Sequence, residues 1–130
     1  MQTLASDVPI TKIMRTKLLT ARPDSPVEEV LDLLKGKHVG CVPILDEAGR
    51  ALGIITKLDV LETLGENRRT AREIMMPFAR SLEARGTIAE AAEIMSSERI
   101  HHVLVIADDR TLIGLVSSLD IADWIAKQGS

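Results

Sequence analysis

Apolar residues recur along this chain with a helical period, and they do so twice. Val27, Val30, Leu31 and Leu34 stand at i, i+3, i+4 and i+7, the spacing that gathers side chains on one face of an α-helix, and Ile88, Ala91, Ala92 and Met95 repeat the stripe 61 positions later. Start signals precede each stripe. Ser25, Pro26 and Glu28 lead into the first, Thr87 and Glu90 into the second, and both sets read as capping boxes. Two short runs rich in β-branched residues follow each helix, at 41–45 and 52–55, then at 103–106 and 112–116. Runs with no polar alternation predict strands buried on both faces. The segments between them, 46–50 and 108–110, are polar, turn-forming and of hairpin length. A second helical stripe closes each half, with Val60, Leu61 and Leu64 matching Ile121, Ala122 and Ile125. Adding short strands near 18–21 and 80–82, each half reads β-α-β-β-α.

The offset of 61 residues aligns the halves without a gap. It superposes Ile13-Met14 on Ile74-Met75, Glu29 on Glu90, Val42 on Val103, Gly53 on Gly114 and Leu58-Asp59 on Leu119-Asp120. A unit of about 60 residues is marginal alone, because it buries too small a fraction of its surface. The expected fold is therefore α/β (α+β), with two repeats packed sheet to sheet about a pseudo-two-fold axis. Residues 8–65 form repeat 1, the polar stretch 66–70 a linker, and residues 71–127 repeat 2.

Composition narrows the function classes. Hydrophobic residues make up 45% of the 130 and charged residues 27%, a globular balance, and the net charge is -3 with basic residues scattered among acidic ones. That distribution offers no basic stripe for a phosphate backbone. With Phe78 and Trp124 as the only aromatics there is no stacking platform either, which argues against nucleic acid. Cys41 is the single cysteine, and residues 1–9 lack the basic segment and apolar run of a signal peptide. No apolar stretch approaches the roughly 20 residues that span a bilayer. A cytoplasmic location without direct membrane insertion is expected. The one cysteine and the histidines His38, His101 and His102 show neither catalytic nor metal-ligand spacing, so neither an enzyme nor a metal site is expected.

The chemistry concentrates in Gly53-Ile54-Ile55-Thr56-Lys57-Leu58-Asp59 and Gly114-Leu115-Val116-Ser117-Ser118-Leu119-Asp120, each a strand end running into a helix start. One reading is structural: Thr56 and Ser117 cap the helices, and the aspartates close capping boxes. The other uses the same geometry for a ligand. Free amides and a hydroxyl at the helix start suit a phosphate, and the carboxylate can accept from the hydroxyls of a ribose.

On these doubled Gly-apolar-apolar-Thr/Ser-x-x-Asp segments, the chain from about Ile10 to Ile125 resembles a tandem CBS-domain pair, or Bateman module. The resemblance implies a regulatory module that binds AMP, ADP, ATP or S-adenosylmethionine, with no catalytic cofactor. It implies ribose contacts from Asp59 and Asp120, and phosphate contacts from Thr56, Lys57, Ser117, Ser118, His101 and His102. The strands Val39-Gly40-Cys41-Val42-Pro43-Ile44 and Ile100-His101-His102-Val103-Leu104-Val105 look like the family's ligand-side strands. The second resembles those of the γ subunit of AMP-activated protein kinase, although His102 stands where an arginine would be and Leu104 where proline is frequent. Each cleft is implied to be composite. Ser117, Ser118 and Asp120 would join an adenine pocket of Lys17, Leu18, Val39, Gly40 and Cys41, while Thr56, Lys57 and Asp59 would join Phe78, Ala79, Ile100 and His101. The fixed charge of Lys57 favours the latter for several phosphates. Cys41 reads as a small residue lining the pocket rather than a reactive thiol. Apolar helix positions beyond the needs of a small core, by the same resemblance, would pair two copies into a homodimer. An unknown effector protein or fused domain would read the ligand state. The rival reading is a nucleotide-free dimerisation or interaction module.

Overall fold

The computed structural model describes residues 4–36, 39–63 and 65–128, so the expectations that rest on His38 and Leu64 fall outside it. The chain divides into two compact units, one of residues 18–79 and the other of residues 1–17 together with 80–130. Both are mixed α/β and each holds a three-stranded sheet.

The unit of residues 18–79 contains helix α1 (Val27–Gly36), strands β1 (Cys41–Leu45) and β2 (Ala51–Thr56), helix α2 (Lys57–Glu62), the single turn α3 (Ala71–Ile74) and strand β3 (Met76–Pro77). Its sheet runs β1-β2-β3, antiparallel throughout. The strand anticipated at 18–21 shrinks to one parallel bridge. There the Ala21 N–H donates to the Pro43 carbonyl at 3.0 Å and its own carbonyl accepts from Leu45 at 2.9 Å. The chain turns away at once because the Ser25 hydroxyl oxygen accepts from the Arg22 N–H at 2.9 Å.

The other unit contains β4 (Ser81–Glu83), α4 (Ile88–Glu98), β5 (His102–Ile106), β6 (Leu112–Ser117) and α5 (Ser118–Gln128), after 3-10 turns at Ala5–Asp7 and Ile10–Lys12. β4 lies parallel and β6 antiparallel to the central β5. Arg15 adds an antiparallel bridge on the outer side of β6, exchanging two backbone hydrogen bonds with Leu115 at 2.8 and 3.0 Å.

The 61-residue equivalence makes these edges comparable. Arg15 beside Leu115 corresponds to Met76 beside Ile54, and Ala21 beside Ile44 to Leu82 beside Val105. Each sheet is therefore finished by the segment that leads into the other repeat. The same segments plug the cores. Ile10 is fully buried among Ile88, Ala91, Val103 and Val116, and Ala71 among Val30, Val42, Ile44 and Ile55.

The capping box expected at Ser25 needs correction. Ser25 forms no capping box, because α1 begins one residue later than Ser25 would allow and Pro26, which has no side-chain acceptor, holds the cap position. Its first amide, on Val27, is satisfied by the Arg69 carbonyl at 3.0 Å instead. At the corresponding place Thr87 does cap α4, and Glu90 completes the box. The second helical stripe is only partly core, in line with its surplus of apolar positions. Val60 and Ile121 are buried, but Leu61 and Ile125 stay 62% and 59% exposed, as do Leu58 and Leu119 beside them.

Candidate functional site

Both motif segments adopt one geometry. The strand ends at Thr56 or Ser117, and the helix starts at the next residue. Thr56 Oγ1 accepts from the Asp59 N–H at 3.2 Å, while Asp59 Oδ2 accepts from the Thr56 N–H at 2.8 Å and from its hydroxyl at 3.0 Å. Ser117 and Asp120 repeat these bonds at the same three distances. The structural reading of the motif is therefore correct as far as it goes, since the cap uses one carboxylate oxygen. It leaves Oδ1 of each aspartate for another donor.

The motif glycines have a packing role. A Cβ on Gly53 would lie 2.5 Å from the Met76 carbonyl oxygen, and one on Gly114 would strike the Met14 side chain and sit 3.2 Å from the Arg15 carbonyl oxygen. Only glycine lets the edge segments approach β2 and β6 this closely.

Of the remaining anticipated residues, Cys41 lies opposite Thr56 in the β1-β2 ladder and is buried. Burial, reinforced by the charge of Asp59, pushes its thiol up to about 12, so at neutral pH it is a packing residue and not a nucleophile. Val39 is half-buried and Gly40 exposed just ahead of it. His102 faces Ser117 in the β5-β6 ladder. Burial, then the neighbouring His101, hold its imidazole below the ordinary value of 6.5, with Asp120 opposing, so it is neutral at pH 7. His101 is exposed, its Nδ1 lying 3.4 Å from the Ser118 hydroxyl. An open cavity of about 510 Å³ brings Ile100, His101 and Ser118 together with Met95 and Arg99. Lys57 stands exposed at the first position of α2, and Lys17 and Leu18 lie in the coil after the Arg15 bridge. Phe78 and Ala79 follow β3. Phe78 is 93% exposed and has a left-handed backbone, φ 59°.

Two residues escaped the sequence reading. Arg15 Nε donates to Asp120 Oδ1 at 3.0 Å. Periodicity gave no sign of it, because its counterpart is Met76. Arg99 ends α4 with φ 55° and places a fixed charge on the cavity. The signal available for it was an arginine where a helix commonly ends in glycine. Among the described residues no group of three or more His, Cys, Asp or Glu could hold a metal ion, and no helix is long and apolar enough to cross a membrane.

Comparison with known proteins places this geometry. The CBS domain family model matches residues 6–66 and again 71–127. The L-aspartate semialdehyde sulfurtransferase of Methanocaldococcus jannaschii is 30% identical over 113 residues, covering 87% of this chain and 22% of the relative. The CBS domain-containing protein YhcV of Bacillus subtilis is 27% identical over 113 residues, with 84% and 79% covered. This chain thus spans only 21% to 33% of the length of the first few curated relatives. Among solved structures, the CBS domain pair of protein MJ0100, in complex with 5′-methylthioadenosine and S-adenosyl-L-methionine, superposes with a TM-score of 0.84 at 29% identity, covering 98% of this chain and 99% of that one. CBSX2 in complex with AMP has the same fold, with a TM-score of 0.86 at 17% identity over 95% and 99% of the two chains. The family match takes in both halves of the internal repeat, and the chain belongs to the CBS domain family, carrying two of its domains in tandem.

Proposed function

We propose that this protein is a regulatory module, not an enzyme, that senses an adenosine-type ligand. The observation that carries the reading is the doubled motif, in which each cap consumes only one carboxylate oxygen; the other, which at Asp120 also meets Arg15, is the acceptor for a ribose hydroxyl. Asp59 and Asp120 take the ribose. Thr56, Lys57, Ser117, Ser118, His101 and His102 approach the phosphates or their equivalent, and Lys17, Leu18, Val39, Gly40, Cys41, Phe78, Ala79 and Ile100 surround the base. The ligands of the MJ0100 pair, both built on adenosine, support this class. So does Phe78: holding an aromatic side chain in solvent on a left-handed backbone costs about 1–2 kcal/mol, and such strain gathers at ligand clamps. The reading extends to a cytoplasmic homodimer, supported by the lack of a spanning helix among the described residues and by the exposed leucines of α2 and α5. The protein or domain that responds to the ligand is an effector beyond this chain.

Calorimetric titration with AMP, ADP, ATP, S-adenosylmethionine and 5′-methylthioadenosine tests the proposal, repeated on Asp59→Ala and Asp120→Ala. Saturable binding is expected, with each substitution abolishing one class of site. Each also removes half of a capping box and lowers stability by about 1 kcal/mol, so circular dichroism must show folded protein. Folded protein that gives no heat with any of the five would leave an interaction module, built on Leu58, Leu61, Leu119 and Ile125, as the better reading.

A further inference from the structure

The two copies of the motif differ at one oxygen. Oδ2 of either aspartate is tied up in its cap, but Oδ1 of Asp120 also accepts from Arg15 Nε at 3.0 Å. Among the described residues no side chain other than Thr56 donates to Asp59. The difference traces to a single position. Arg15 is bridged to Leu115, and 61 residues later Met76 is paired with Ile54 in the same place, with a side chain that cannot donate. Burial follows suit, because Asp120 is 9% exposed while Asp59 remains partly open.

We propose that Arg15 is a specificity-determining residue, an ionic gate on Asp120 that makes the two ribose-accepting carboxylates unequal. This rests on the adenosine reading above. A ribose hydroxyl must compete with a guanidinium at Asp120 and meets no such rival at Asp59. Both hydrogen bonds end on an ionised carboxylate, but only the guanidinium brings a second, opposite full charge to the pair, which gives the gate its direction. Arg15 is 58% exposed, so water screens the pair and keeps it weak enough to open. Two backbone hydrogen bonds to Leu115 anchor Arg15, so the side chain can swing without moving the sheet edge. An adenosine-type ligand therefore binds Asp120 more weakly than it would without Arg15.

Calorimetric titration with adenosine, which has the ribose but no phosphate to attract an arginine directly, isolates the effect. Asp59→Asn and Asp120→Asn each leave one carboxylate to be read, and the asparagine amide oxygen can still serve the cap. In the Asp59→Asn background, Arg15→Met should tighten adenosine binding about two- to five-fold, the range of an exposed ion pair. In the Asp120→Asn background, Met76→Arg should weaken it by a similar factor. Unchanged or weaker binding on Arg15→Met, with adenosine still bound, overturns the gate and leaves the adenosine reading standing. If the unmodified chain binds neither adenosine nor any nucleotide of the panel, both fall. NMR of the unmodified chain gives a check that needs no variant: at saturation with adenosine the Arg15 Nε–H resonance should move to the position of a free arginine. A resonance that keeps its ion-paired shift overturns the gate.

Discussion

Arg110 closes the β5-β6 hairpin with φ at 73°, where the β1-β2 hairpin has Gly49 at 85°. The two turns are otherwise alike, with Gly49 N–H donating to the Asp46 carbonyl and Arg110 N–H to the Ala107 carbonyl, at 3.0 and 2.9 Å. An L-side chain in this region costs about 1–2 kcal/mol, and the extra freedom of glycine in the unfolded chain takes back about 0.5–1 kcal/mol. Arg110→Gly should therefore stabilise the protein by up to about 1 kcal/mol, read as a thermal midpoint raised by a few degrees. A lowered midpoint would mean that the arginine side chain makes contacts worth more than the strain. The turn itself was legible in Asp108-Asp109-Arg110, but its backbone sign was not, since arginine carries no preference for positive φ. The same gap hid the left-handed Phe78 and Arg99.

Strands and helices were read well where composition and period agreed. The hairpins, α1, α4 and the two motif turns all lie within a residue or two of their expected places, because buried β-branched runs and capping residues each have one comfortable conformation. The failures are instructive for the opposite reason. Pro26 could pass for the first helical residue, and residues 18–21 could pass for a strand although only Ala21 bridges to a neighbour. The motif glycines carry the clearest consequence at this scale. They looked like part of a ligand signature, yet each makes room for an edge segment. At Gly53 the obstacle to a methyl group is backbone, the Met76 carbonyl, whereas at Gly114 the nearest atoms belong to the flexible Met14 side chain. Gly53→Ala should cost about 1–3 kcal/mol through displacement of β3, and Gly114→Ala less, measured by urea denaturation of both. Equal losses would show that the Arg15 carbonyl, not Met14, governs the second site.

For the whole molecule, the repeat in the sequence and the compact units in space have different borders. The offset of 61 residues establishes which residues are equivalent. It cannot say whose sheet an equivalent segment joins, because Ile10 and Ala71 would bury the same surface against either repeat. Backbone hydrogen bonds decide it. Ile10 N–H donates to the Gly86 carbonyl at 2.7 Å and Ala71 N–H to the Ser25 carbonyl at 2.8 Å, while Val8 accepts from Ile88 and Arg69 from Val27 at 3.0 Å each. The unit that contains repeat 2 is thus incomplete without residues at the start of the chain, and Ile10 is its test. It is fully buried against α4, β5 and β6, so Ile10→Ala removes apolar contacts from that core and should destabilise the unit of residues 1–17 and 80–130 by about 2–5 kcal/mol. Hydrogen exchange can show where the loss falls. Faster exchange at Val103, Val105 and Val116 is expected, with less change at Val42, Ile44 and Ile55, which belong to the other core. If protection fell instead at Val42 and Ile44 alone, Ile10 would belong to the unit of its own repeat, and the exchange of leading segments would be wrong.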